Sequence, residues 1–284
     1  MVTLKIENQM KSRSQSAIAK TSYMLMANNM TLLIKRLWPW ITGTSITMAI
    51  AYSAAIMIPS VTTDAATITL WSVCAISSMA ALFLLACTSG SIMALLKGQD
   101  AGPNIVRALK FHTIPASAFI AGVMLFYAVS ISLVVIWHQG MLLLHLLIAL
   151  AIAIITSLLL LPTCYSGMKY MAEDGIKFRS IISKNYFIGI RFYGRLFITI
   201  FVSLLIGIML AMLLAAPLWV VTIASLQDSL GMYFGDLSGM PQTAPLLIFT
   251  GAFIAFAACS PVWLWQMFCI YYQYGSISAR QTER

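Results

Sequence analysis

Six long stretches of the chain are almost entirely apolar, and shorter polar segments separate them. None of these stretches contains Asp, Glu, Lys or Arg, and each has the length of about 20 residues that crosses a bilayer as a helix. One charged residue at the centre of such a helix costs roughly 2.5–3.5 kcal/mol, which explains their exclusion. The pattern predicts an all-α integral membrane protein. Its six transmembrane helices are predicted near 38–58, 68–96, 114–137, 141–166, 196–224 and 245–273.

The composition supports the same class of protein. Hydrophobic residues make up 61% of the chain and charged residues only 9%, whereas a soluble domain carries about 25% charged residues. The cysteines all lie within predicted spans. We therefore expect buried thiols rather than a disulfide framework.

The positive charges predict the orientation of the chain in the membrane. All 17 Lys and Arg residues fall in segments that alternating spans would place on one side: 1–37, 97–113, 167–195 and 274–284. Cytoplasmic loops attract Lys and Arg, so both termini are predicted to be cytoplasmic. The predicted organisation is a basic, amphipathic cytoplasmic segment at 1–37 followed by a membrane domain at 38–284. The compact loops and the lack of a targeting peptide favour a bacterial inner (plasma) membrane.

Short pairs of small residues recur at the cytoplasmic ends of the even-numbered spans. Cys-x-Ser-Gly occurs at both Cys87 and Cys164, and Gly-Ser-Ile-x-Ala links the first of these copies to the last span. The recurrence predicts three helical hairpins in tandem, and Gly and Ser let helix backbones approach closely. The competing interpretation is that small residues are simply common at span ends. The predicted helix-packing necks are Ser89 and Gly90, Ser166 and Gly167, and Gly275 and Ser276.

Two cytoplasmic segments show helical spacing of apolar residues. One stripe comprises Ala19, Tyr23, Met26, Met30, Leu33 and Leu37, and another comprises Ile182, Tyr186, Ile190 and Tyr193. Amphipathic helices of this kind lie in the membrane interface with basic residues toward lipid phosphates. The alternative is that they dock on a partner protein. The basic residues predicted to face the lipid surface are Lys20, Lys35, Arg36, Lys184, Arg191 and Arg195.

Proline residues interrupt three of the predicted spans. Pro162, Pro217 and Pro261 lie in spans four, five and six, and each is predicted to kink its helix. Broken helices line the substrate sites of some transporters. Proline is also more frequent in membrane helices than in soluble ones, so the kinks have a purely structural alternative.

The chemistry of the chain gives no sign of an enzyme. We identify no paired catalytic residues, no P-loop and no cluster of metal ligands, and hence predict no catalytic, cofactor-binding or metal site. His138 and His145 are interpreted as interfacial residues. Glu173 and Asp174 are interpreted as favourable charges near the start of a cytoplasmic helix.

Two functions are compatible with these features. The first is a non-enzymatic scaffold, assembly factor or regulatory subunit, whose basic cytoplasmic face binds lipid or a partner. The alternative is a transporter or permease subunit for a small uncharged or lipid-like solute. The expected partners are anionic lipids of the inner leaflet and either another membrane protein or a second copy of the chain. No nucleic-acid module is present in the sequence, so no nucleic-acid partner is expected.

Overall fold

The computed structural model describes residues 4, 11–58, 63–137, 142–235 and 243–283. Throughout these ranges the chain is almost entirely helical and contains no strand. The helices are α1 (Gln15–Asn28), α2 (Met30–Met57), α3 (Asp64–Lys97), α4 (Ala101–Trp137), α5 (Leu142–Ala172), α6 (Lys184–Arg191), α7 (Tyr193–Leu214), α8 (Ala216–Tyr233) and α9 (Ala244–Thr282). A short 3₁₀ turn, Phe178–Ile181, lies between α5 and α6.

Six of these helices are long and apolar enough to cross a membrane: α2, α3, α4, α5, α7 and α9. This confirms the prediction of an all-helical chain with six such helices. The longest is α9, whose 39 residues extend for about 58 Å at 1.5 Å per residue. Because a bilayer core is only about 30 Å thick, α9 continues well beyond the hydrocarbon, past the predicted end of span six at residue 273.

Several predicted loops are helical in the structure. The segment 97–113 was predicted as a connection, yet α4 begins at Ala101. The predicted boundary between residues 37 and 38 falls inside α2, which starts at Met30. Membrane helices therefore extend past the apolar stretch that defines them in the sequence, because intrahelical hydrogen bonding continues wherever the flanking residues tolerate it.

The fifth predicted span, 196–224, is not one continuous helix. It is divided at Ala215, where α7 ends and α8 begins. The polar segment predicted to follow it begins within α8, which continues to Tyr233. Residues 236–242, which follow it, lie outside the described residues, as does His138.

Consecutive spans pack against each other, α2 with α3, α4 with α5 and α7 with α9, while α2 also packs along α9. The main core lies at one end of this bundle, where α3, α5 and α9 end and α2, α4 and α7 begin. Its fully buried side chains include Leu33, Ile92, Tyr165 and Phe268. Most of the described Lys and Arg residues flank this core, so we call it the basic end.

The other half of the bundle, which we call the opposite half, is packed far less tightly. A small cluster around Ala49, Leu218, Ala252 and Ala255 joins α2, α8 and α9 there. By contrast, large apolar side chains of α3 and α4 project outward, as Ile76 and Phe119 do with 70% of their surface exposed. Such surfaces suit contact with lipid tails rather than water.

Candidate functional site at the basic end

The first predicted neck brings two helix backbones into contact. Ser89 and Gly90 are buried on α3, and a Cβ atom added to Gly90 would lie 2.4 Å from the Cα atom of Ile105 on α4. Only glycine permits this approach, because the obstructing atoms belong to a backbone and not to a flexible side chain. Gly90 thus sets the distance between α3 and α4.

The other two necks have different neighbours. A Cβ atom on Gly167 would lie 2.0 Å from the ring of Phe111. This glycine of α5 therefore also lets α4 pack closely. Gly275 and Ser276 are buried on α9. There the Ser276 hydroxyl accepts a hydrogen bond from the backbone N–H of Arg13 at 3.0 Å. The first two necks therefore enclose the start of α4, while the third holds the segment that precedes α1.

Asp174 connects three helices of the basic end through charged contacts. Its carboxylate accepts hydrogen bonds from the Lys97 Nζ atom at 2.5 Å and the Arg107 Nη1 atom at 3.2 Å. The side-chain amide of Gln99 donates to its second oxygen at 3.0 Å. The Lys97 and Gln99 hydrogen bonds, with the nearby positive charges, hold the pKa of Asp174 below its usual value.

The neighbouring Glu173 makes a separate connection, to α9. Its carboxylate accepts a hydrogen bond of 2.6 Å from the Tyr274 hydroxyl. The Tyr274 ring lies 5.8 Å from that of Tyr165, whose hydroxyl donates to Gln281 at 3.1 Å. The interpretation of these two acidic residues as charges near a helix start is wrong, since both directly follow the end of α5 at Ala172.

Tyrosines from α6 and α7 donate to carbonyl groups of α5 in the turn before Pro162. Proline has no N–H, so the carbonyl group four residues earlier, at Leu158, loses its usual intrahelical donor. The Tyr193 hydroxyl donates to that oxygen at 3.2 Å, and Tyr186 donates to the Leu159 oxygen at 2.8 Å. Both tyrosines were predicted to belong to a lipid-facing row. Instead, their hydroxyl groups contribute to packing against α5.

The short helix α6 buries one polar and one small residue against the protein and exposes both apolar and basic side chains. Asn185 and Gly189 are buried, and a Cβ atom on Gly189 would lie 2.7 Å from the Pro162 oxygen. On the outside of α6, Phe187 and Ile190 are 68% and 45% exposed, beside the exposed basic residues Lys184 and Arg191. A water-soluble surface helix would instead turn its large apolar residues toward the protein.

The N-terminal helix packs within the molecule. Its buried residues include Ile18 and Leu25, and the Trp265 Nε1 atom of α9 donates to the Ala19 carbonyl oxygen at 3.3 Å. The stripe predicted along one helix is divided between α1 and α2, which meet at Asn29, and Tyr23 of the stripe is 59% exposed. Leu33 and Leu37 of that stripe, by contrast, are fully buried.

The structure places the remaining predicted residues as follows. Lys20, Lys35, Arg36, Lys184 and Arg191 are exposed, and Arg195 is half-buried. Pro162 and Pro261 lie inside α5 and α9, whereas Pro217 lies at the start of α8, just after the helix break. Beside Pro261, the Ser260 hydroxyl donates to the Ala257 oxygen at 2.8 Å, which satisfies the carbonyl group that this proline leaves free.

Two polar side chains that connect helices were not identified from the sequence. Gln266 on α9 donates to the Ser203 carbonyl oxygen at 3.1 Å, next to Gly207 on α7. The Gln15 Nε2 atom donates a hydrogen bond to the Arg195 carbonyl oxygen, and the Gln15 Oε1 atom accepts one from the Thr199 hydroxyl. A lone Gln within an apolar stretch is the signal that identifies the first, because an amide in a span needs a partner.

These features define the class of protein, since six apolar helices of this length indicate a multi-pass membrane protein. No family model matches the chain, and no curated protein or solved structure matches it either. Within the described residues, no group of three or more His, Cys, Asp or Glu side chains is placed to hold a metal ion.

Proposed function

We propose that this protein is a non-enzymatic component of a bacterial inner membrane, acting as a scaffold, assembly factor or regulatory subunit. In this proposal its spans form three tandem hairpins, both termini are cytoplasmic, and the basic end lies against the anionic inner leaflet. The tightly packed basic end supplies a fixed surface, while the opposite half lies among lipid tails.

The observation that carries this proposal is the mixed apolar and basic surface that α6 exposes. Its exposed surface combines apolar side chains, Phe187 and Ile190, with the basic side chains Lys184 and Arg191. A helix of this composition lies in the membrane interface, with apolar groups below the phosphates and cations beside them. Burial of Gly189 against Pro162 of α5, and of Asn185 beside Ser180, keeps that surface pointing away from the protein.

Cysteine labelling tests the orientation. In a cysteine-free variant, Thr63→Cys places a thiol at the opposite end of the bundle and Thr282→Cys places one at the end of α9. A membrane-impermeant maleimide added to intact cells should label position 63 and leave position 282 unlabelled until lysis. Labelling of position 282 in intact cells contradicts the proposed orientation.

A polarity-sensitive dye tests whether α6 lies on lipid. We expect a dye on Phe187→Cys to report an apolar environment in vesicles containing phosphatidylglycerol. The same dye on Lys184→Cys, three residues away, should report the headgroup region. Equal, water-like signals at both positions would mean that α6 does not contact lipid.

Transport is the second candidate, and the break in span five favours it. The chain is interrupted at Ala215, directly before Pro217, and discontinuous helices of this kind line some transport sites. The hydroxyl groups of α2 count against a polar path, because Thr44 and Ser53 donate to carbonyl groups of their own helix.

Flux measurements decide between the two candidates. Proteoliposomes are assayed for glycerol efflux and for movement of a fluorescent phospholipid between leaflets. Protein-dependent flux that is lost in Pro217→Ala would establish transport and refute the scaffold proposal. The scaffold proposal predicts rates equal to those of protein-free vesicles.

A further inference from the structure

Three arginines from separate parts of the chain line one open cavity at the basic end. The cavity has a volume of about 300 Å³ and is lined by Arg191, Phe192, Gly194, Arg195 and Arg280. Arg191 ends α6, Arg195 lies in the first turn of α7, and Arg280 lies in the last turn of α9. Among the described residues, the lining therefore contains three guanidinium groups and no carboxylate.

The guanidinium group of Arg280 has an unmet hydrogen-bonding requirement. Its Nε atom is buried and donates to no acceptor within the described part of the chain. A buried donor on a charged group is costly unless an acceptor, preferably an anion, approaches it. The planar guanidinium group is well suited to a phosphate, which it binds through two parallel hydrogen bonds.

An apolar cavity begins about one turn further along the same face of α7. It has a volume of about 210 Å³, and its lining includes Ile198, Val202 and Trp265. Ile198 and Val202 follow Arg195 by three and seven residues, so all three side chains share one helix face. Gln15 marks the border, because it contacts both the Arg195 carbonyl oxygen and the Thr199 hydroxyl.

We propose that Arg191, Arg195 and Arg280 bind the phosphate group of one anionic phospholipid, whose acyl chain lies along Ile198 and Val202. Those two side chains are 49% and 45% exposed and extend about 10 Å from the arginines toward the membrane interior. This site rests on the proposed function, in which the basic end lies against the anionic inner leaflet. It adds one specific binding site for a phospholipid to that general electrostatic attraction.

Native mass spectrometry of the full chain in detergent tests the site. Phosphatidylglycerol is the probe, and the bound copies and apparent affinity are recorded for each variant. Arg280→Gln should weaken binding about tenfold, the value of one charge-assisted hydrogen bond of about 1.4 kcal/mol. The matched control is Arg179→Gln, which removes the same charge from an exposed residue outside the cavity and should retain binding within about twofold.

Two further arms identify the source of the phosphate. Inorganic phosphate and glycerol phosphate should displace the lipid only at far higher concentrations, and phosphatidylglycerol with six-carbon chains should bind more weakly than the long-chain lipid. Equal potency of inorganic phosphate would overturn the assignment to a lipid. Arg280→Lys, which keeps the charge but loses the planar group, should show intermediate binding.

The outcomes separate this site from the proposed function. Equal losses in Arg280→Gln and Arg179→Gln would show diffuse surface attraction, which overturns the site and leaves the proposed function standing. Labelling of position 282 from outside the cell would refute the proposed function instead. Thermal unfolding without added lipid serves as the folding control, and Arg280→Gln should be at least as stable as the unchanged protein because it removes a buried Nε–H donor that has no acceptor among the described residues.

Discussion

The same six spans form most of the basic end and of the opposite half, yet the two regions are held together differently. At the basic end, backbones touch at Gly90, and side chains such as Asp174 and Tyr274 join one helix to another. In the opposite half, Phe119 and Ile76 point outward, and few polar contacts cross between helices among the residues that the structure describes. Apolar surface is abundant in both regions, so it cannot account for the difference.

The physical reason is that lipid tails are as apolar as leucine. Apolar helices in a bilayer gain little from burying apolar surface, so close packing and interhelical hydrogen bonds decide where they associate. The opposite half has one small-residue cluster and a 2.6 Å hydrogen bond between Tyr52 and Thr222. We therefore expect the stability of the fold to depend mainly on the basic end.

The largest expected effect is that of Gly90→Ala. Its Cβ atom would lie 2.4 Å from the Ile105 backbone, so α3 and α4 must move apart. The free energy of unfolding should fall by about 3 kcal/mol, measured by thermal unfolding in detergent with tryptophan fluorescence.

The matched control for that change is Gly102→Ala on α4, where an added Cβ atom has no neighbour within 4 Å. Stability should stay the same or rise slightly, since alanine favours a helix over glycine. If both variants lose stability equally, the close contact of α3 with α4 is not what distinguishes the basic end.

A smaller effect is expected for Tyr193→Phe, which removes the donor to the Leu158 oxygen. The loss should be about 1 kcal/mol and should shrink in a Pro162→Ala background, because alanine restores the backbone N–H. A double-mutant cycle measures this coupling. Tyr127→Phe, at a residue 54% exposed on α4, serves as the control. Additive losses would contradict the link between Tyr193 and the proline.

A pH-dependent effect is expected from Asp174. Its pKa is lowered in the folded state, so its contacts stabilise the fold above the ordinary carboxyl pKa of 3.8 and lose that contribution as the pH falls through the lower, folded-state value. Unfolding temperatures measured from pH 6 downward should show a component that Asp174→Asn lacks. Salt should reduce it, because the carboxylate is exposed. Identical profiles for the two proteins would refute this role.

The smallest effect is expected for Phe119→Leu in the opposite half. The side chain is 70% exposed, so the free energy of unfolding should change by less than about 0.5 kcal/mol. A decrease of more than about 1 kcal/mol in the free energy of unfolding, in the same measurement, would contradict the view that this surface faces only lipid. It would show that a second copy or another protein covers α4 in the membrane.

The sequence by itself determined the six apolar helices, because exclusion of charge over about 20 residues is a local property that any sliding window detects. It also singled out Gly90 and Gly167 as close-packing positions. The sequence did not determine where helices extend beyond the hydrocarbon, as α4 and α9 do, since polar residues are also tolerated in helices outside it.

Only the tertiary structure decided which residues serve as partners. Asp174 reaches Lys97 and Arg107 across three helices, and Tyr193 reaches the carbonyl group freed by Pro162. The arginine cavity likewise requires Arg280 to meet α6 and α7. Residues far apart along the chain meet only through helix packing, and sequence periodicity describes one helix at a time.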